Sequence, residues 1–204
     1  MPLRLSRPQW RKVLRWFVRD ATIAGIAGET GLERKRVLRA LMIVRLALWR
    51  AMQGGGHDSA PAAARARAIG LRIAHGRALA EVMPDAEAEQ LDRWLRRRRS
   101  GDPHPPRNSR RYMAVVLRGR LYRLAESGAE RVPFGPIDAF WAYLQRQLRA
   151  KGGIRRERLD LYLASFSWRY NHRQVAPAEQ VEKLLRLVGG PLEVSRTGLS
   201  RPAK

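Results

Sequence analysis

Apolar residues recur along this chain at two periods, and the changes of period divide it. From Arg7 to Met52 the spacing is helical, with Trp10, Val13, Leu14 and Phe17 three or four apart on one face. A second, short helix is predicted from an N-cap at Thr22 to Thr30. A third starts near Glu33 and turns Val37, Leu38, Leu41, Val44 and Leu48 inward. Gly54-Gly55-Gly56 and the Ala-rich stretch after Pro61 then break the pattern, so Gly54 to Ala68 reads as a linker or collapsed loop.

From Ile69 to Val132 the types mix. Ile69–Val82 and Met113–Leu124 contain short strand-compatible runs, with turns expected at Gly76 and Gly119. Between them, Ala86 to Arg99 is helical, striped by Leu91, Trp94 and Leu95. Three prolines exclude regular structure from Ser100 to Arg107. Helical spacing returns from Pro136 to Val188. Ile137, Phe140, Trp141, Leu144 and Leu148 mark one helix, which Gly152-Gly153 stops. Leu159, Tyr162, Leu163, Phe166 and Tyr170 mark the next, and Ala178 to Val188 a third. The expected fold class is α+β, mainly helical. The expected division is a helical module at 1–53, a linker at 54–68, a second domain at 69–188 and a loose tail from Gly189 to 204.

Charge sharpens this picture. The 204 residues hold 41 Lys plus Arg against 18 Asp plus Glu, a formal +23. Such a surplus repels itself in a compact state unless a polyanion screens it, which makes double-stranded DNA the expected partner. The cations are nearly all Arg, whose planar fork suits phosphates and guanine edges. An Arg-rich composition inherited from a GC-rich genome is the bland alternative, but it would not by itself suppress acids. With no Cys, disulfides and thiolate metal sites are excluded. The apolar run Ala40–Trp49 is interrupted by Arg45 and too short to span a bilayer, so no membrane association and a cytoplasmic, nucleoid-associated location are expected.

The stretch from Ile26 to Val37 has helix-turn-helix spacing. Ala27 is small enough for two helices to cross closely, Gly31 supplies the turn, and Val37 anchors the second helix to the first. Arg34, Lys35, Arg36 and Arg39 then stand near the start of that second helix, where a recognition helix meets the major groove.

A resemblance appears at the other end. Gly135-Pro136-Ile137-Asp138-Ala139-Phe140-Trp141, followed by Leu144, Arg146 and Leu148-Arg149, looks like the end of the catalytic domain in a small DDE transposase family of bacterial insertion sequences. It continues through Gly153-Ile154, Leu161-Tyr162-Leu163 and Trp168-Arg169-Tyr170-Asn171-His172-Arg173, the last being similar to the family's most specific signature. The resemblance covers roughly half of the chain and is weak in the middle, where Ile69-Gly70-Leu71 and the Tyr112 segment are its fixed points. It implies an N-terminal helix-turn-helix followed by a reduced RNase H-like domain.

Such a domain brings three acids together around two divalent metals, here Mg²⁺, that activate water or a 3′-hydroxyl. Asp138 aligns with the third acid and is the expected metal ligand. Asp102 is the nearest carboxylate for the second, but Asn108 occupies its place; Asp58 alone is available for the first. Gln145 stands where the family has a basic residue, and Ser165 and Ser167 where it tends to have acids. His57, His75, His104 and His172 have no ligand spacing. These departures lead to the expectation of a DNA-binding, transposase-like protein with an impaired or lost active site. An active transposase and a non-enzymatic RNA- or protein-associated protein are the rivals, and self-association stays open. Beyond Arg34 to Arg39, the expected phosphate contacts are Arg96 to Arg99, Arg110-Arg111, and Arg169 to Arg173.

Overall fold

The structure is a computed structural model and describes residues 3–52, 68–97, 105–124 and 135–194. It is mainly helical, with one small antiparallel sheet, and divides into two compact units: residues 1–57 with 172–204, and residues 58–171.

The first unit holds helices α1 (Arg7–Val18), α2 (Ile23–Thr30), α3 (Arg34–Met52) and α7 (Pro177–Val194). α1 opens on a capping box in which the Ser6 hydroxyl accepts from the Gln9 N–H and the Gln9 side chain accepts from the Ser6 N–H. Its stripe of Trp10, Val13, Leu14 and Phe17 is buried, as the periodicity predicts. α7 packs on α1 and α3, burying Val181, Leu184 and Val188, while Arg11 Nη2 meets Glu182 Oε1 at 2.8 Å. This differs from the sequence expectation in two ways. The last helix belongs with the N-terminal helices rather than with the C-terminal domain, and it runs past Gly189 to Val194 where a loose tail is expected. An apolar stripe specifies burial but not the surface that buries it. The expected linker at 54–68 lies almost wholly outside the described residues.

The second unit is a three-layer arrangement around strands β1 (Ala68–Ala74), β2 (Arg77–Val82), β3 (Ala114–Leu117) and β4 (Arg120–Arg123), in the order β2-β1-β3-β4, with every pairing antiparallel. Both hairpins turn through two residues with positive φ, His75-Gly76 and Arg118-Gly119, the geometry that matches strand twist. One sheet face packs Leu71, Ala78, Ala80, Ala114 and Val116 against Ile137, Phe140 and Leu144 of α5 (Gly135–Ala150) and Leu163 and Phe166 of α6 (Leu159–Asn171). The other packs Ala68, Val115 and Leu117 against Ala88, Leu91 and Trp94 of α4 (Asp85–Arg97). Alternation along each strand produces this division. Gly70 lies where any side chain would collide with Tyr112, since a Cβ there would overlap its ring.

Candidate nucleic-acid interface

Two helices and a tight turn build the basic edge of the first unit. The Thr22 hydroxyl accepts from the Gly25 N–H at 3.1 Å and so starts α2. Gly31, in the left-handed region at φ 69, ends it, donating its N–H to the Ala27 carbonyl at 2.9 Å. Leu32 in the turn, Ile26 in α2 and Val37 in α3 are buried and fix the angle between the helices. Val37 plays the anchoring part expected of it. On α2 it is Ile26 that is fully buried, and Ala27 only half so.

α3 begins with its cations. Arg34, Lys35 and Arg39 are exposed and form no ion pair with the described residues. Arg36 is half-buried, and its Nη2 donates to the Arg4 carbonyl at 2.9 Å, so it serves partly to hold the N-terminal strand of chain. Three cations at the positive end of a helix dipole oppose that dipole; a phosphate there would meet both the dipole and the side chains favourably. Residues 1–57 carry twelve Lys or Arg against three acids, so this unit is basic in its own right.

The other expected phosphate contacts fare differently. Arg96 is drawn to Asp92 at 3.0 Å, and Asp92 also takes Arg118 at 2.7 Å. Arg97 is exposed; Arg98 and Arg99 lie outside the described residues. Arg110 Nε donates to the Pro105 carbonyl at 3.3 Å. Arg111 belongs to a network on the α4 side of the sheet: it meets Glu87 at 3.0 Å, donates to the Tyr112 hydroxyl at 2.6 Å and lies over the Tyr112 ring, while Tyr112 donates to Glu81 at 2.8 Å. Burial works against the Arg111 charge, but Tyr112 and Glu87 outweigh it and raise its pKa. Burial, reinforced by Glu81, pushes the Tyr112 hydroxyl far up, so that it stays protonated. Arg169 is half-buried on α6, whereas Arg173 is exposed in the turn after it. Of this set, Arg111 is thus tied into the fold, and Arg96 and Arg110 have partners within the protein.

The expected acids do not form a group among the described residues. Asp138, in the first turn of α5, receives Arg123 Nη2 of β4 at 2.8 Å on Oδ2. A guanidinium thus occupies a carboxylate that the resemblance assigns to a metal. Asn108 is exposed on the 3-10 turn Arg107–Arg111, which packs on α4, whereas α5 covers the opposite sheet face. Asp58 and Asp102 lie outside the described residues. No three of His, Cys, Asp and Glu come together as metal ligands among the described residues. A two-metal centre needs several oxygen ligands; of the three expected acids, Asp138 alone lies among the described residues, and it is paired with Arg123.

The C-terminal signature has a structural explanation that periodicity does not reveal. β2 is a sheet edge, and its outward backbone groups at Ala78, Ala80 and Val82 are met by side chains of α6. Asn171 bonds both backbone groups of Ala78, accepting from its N–H at 3.0 Å and donating to its carbonyl at 2.9 Å. Ser167 accepts from the Ala80 N–H at 3.1 Å, and Asp160 from the Val82 N–H at 2.8 Å. Positions 160, 167 and 171 share one helix face. Phe140, Phe166 and Trp168 are buried, and Phe140 tilts against Tyr170 with ring centroids 4.8 Å apart. Burial, chiefly, raises the Asp160 pKa, the Val82 N–H opposing it and Glu81 adding to it. Compared with known proteins, the chain matches no family model, no curated protein and no solved structure.

Proposed function

We propose that the protein binds duplex DNA through the start of α3, used as the recognition helix of a helix-turn-helix module, and that it is a shortened relative of small DDE transposases whose strand-transfer chemistry is impaired or lost. The observation that carries the binding role is the set of exposed cations Arg34, Lys35 and Arg39, with no ion pair among the described residues, on a helix whose angle to α2 is fixed by buried Ile26, Leu32 and Val37. In this reading the second unit is a reduced RNase H-like remnant. The Arg123–Asp138 ion pair supports the loss of cleavage, because a positive guanidinium competes for the oxygen that a divalent ion would need. Location at the nucleoid follows from the same partner.

The test is a duplex-binding titration beside a nicking assay in Mg²⁺ and in Mn²⁺. Tight, salt-sensitive binding without nicking is the expected result. Metal-dependent nicking that disappears in Asp138→Ala would overturn the second half of the proposal, and absent binding the first.

A further inference from the structure

A second concentration of cations lies in the other unit, at positions not among the phosphate contacts expected from sequence. From 149 to 158 the chain holds Arg149, Lys151, Arg155, Arg156 and Arg158 against the single acid Glu157. All four of these arginines are exposed and form no ion pair with the described residues. Several acids of the same unit are engaged with other groups: Glu81 and Glu87 with Arg111, Asp92 with Arg96 and Arg118, Asp138 with Arg123, and Asp160 with the Val82 N–H.

The fold does not account for this concentration. Arg149, in the last turn of α5, complements that helix's dipole. Arg156 and Arg158 do the reverse, because they form the 3-10 turn Arg156–Arg158 that runs directly into α6. Gly152 and Gly153, both at positive φ with open space around them, let the chain reverse between α5, whose last turn carries Arg149, and the 3-10 turn that carries Arg156 and Arg158. The six Cα–Cα steps from Arg149 to Arg155 keep those two Cα atoms within about 22 Å, less than one duplex turn of about 34 Å.

The geometry points to a second surface for the phosphates of duplex DNA, formed by Arg149, Arg155, Arg156 and Arg158. It rests on the reading that duplex DNA is the partner, and it adds phosphate contacts beyond those of α3. A duplex suits this surface better than other polyanions. The stretch contains no aromatic side chain on which unpaired bases could stack. Its apolar residues Ile154 and Leu159 pack into the core, leaving nothing to enter a lipid interface. Phosphate contacts of this kind read no sequence; they add affinity and salt dependence.

The experiment uses the full chain in four forms: unchanged, R34A/K35A/R39A, R155A/R156A/R158A, and all six substitutions together. Duplex affinity is measured across a salt series, with thermal melts to confirm folding. Removing one phosphate contact lowers the slope of log affinity against log salt by about 0.9, so R155A/R156A/R158A should lower the slope by about 2 to 3 and the sixfold variant by about twice that. If R155A/R156A/R158A matches the unchanged protein while R34A/K35A/R39A loses binding, this surface is refuted and the α3 reading survives. If the reverse holds, α3 is refuted and this surface stands. A second measurement keeps the rest of the arginine set in place: the chain has no Cys, so Arg156→Cys is a unique attachment point for an iron chelate. Cleavage of bound duplex by the tethered iron is expected, and absent cleavage of a bound duplex contradicts the proposal.

Discussion

Replacing Asn171 with Ala separates a structural role from a DNA-contacting one at the most specific part of the C-terminal signature. The Asn171 side chain makes two hydrogen bonds to the backbone of Ala78 on the edge strand β2, at 3.0 and 2.9 Å. Ala78 is 5% exposed, so water cannot readily replace the missing partner. An unsatisfied buried backbone group costs about 1–3 kcal/mol, and Asn171 itself is only half-buried, which places the sum at about 2–4 kcal/mol. For a chain of this size that deficit corresponds to a fall in Tm on the order of 10 °C. Asn171→Asp retains an acceptor for the Ala78 N–H but no donor for its carbonyl, and should fall between the two. The assay is thermal and urea unfolding, with duplex affinity measured at a temperature where both proteins are folded. A variant that melts like the parent, or keeps its stability but loses DNA affinity, would refute the edge-capping account.

Three further outcomes follow from the same geometry. Asp160 has a raised folded pKa, so the folded state holds its proton more tightly than the unfolded chain; the associated stability is present below the ordinary aspartate value of about 3.9 and lost as pH rises through the folded value. Asp160→Asn keeps an oxygen for the Val82 N–H without the charge, so melts at pH 4 and pH 7.5 should show the variant gaining on the parent as pH rises, and a parent that gains instead would contradict this. Gly70→Ala forces a Cβ onto the Tyr112 ring and should cost about 1–3 kcal/mol or more in urea titrations, with the penalty falling sharply in a Tyr112→Ala background; an additive pair would show that the two do not meet. Asp138→Ala removes an exposed ion pair with Arg123 and should change stability by less than about 1 kcal/mol, so a drop of several kcal/mol on unfolding would mean that the pair is structural.

The helices at the start of the chain were legible because their apolar residues keep a strict 3- and 4-residue spacing, and Thr22 and Gly31 do cap α2. Both hairpins were legible from Gly76 and Gly119, whose positive φ few other residues tolerate. Where α7 docks was not, since Val181, Leu184 and Val188 would suit any apolar surface and only the folded chain shows α1 and α3 beneath them. The basic set was legible in part. Charge alone cannot distinguish Arg39, which is exposed, from Arg36, tied to the Arg4 carbonyl, or from Arg111, held between Glu81, Glu87 and Tyr112. The edge cap does leave a trace in the sequence: Asp160, Ser167 and Asn171 form a polar line on a helix that otherwise buries most of its length. A polar line of that kind needs backbone partners, and an uncovered strand edge supplies them.

The most direct test of the central claim is the salt dependence of duplex binding by the unchanged protein and by R34A/K35A/R39A. Removing three phosphate contacts from α3 predicts a slope lower by about 2 to 3, with weaker binding at every salt concentration and an unchanged melting curve. Equal slopes and equal affinities would show that the start of α3 does not face DNA.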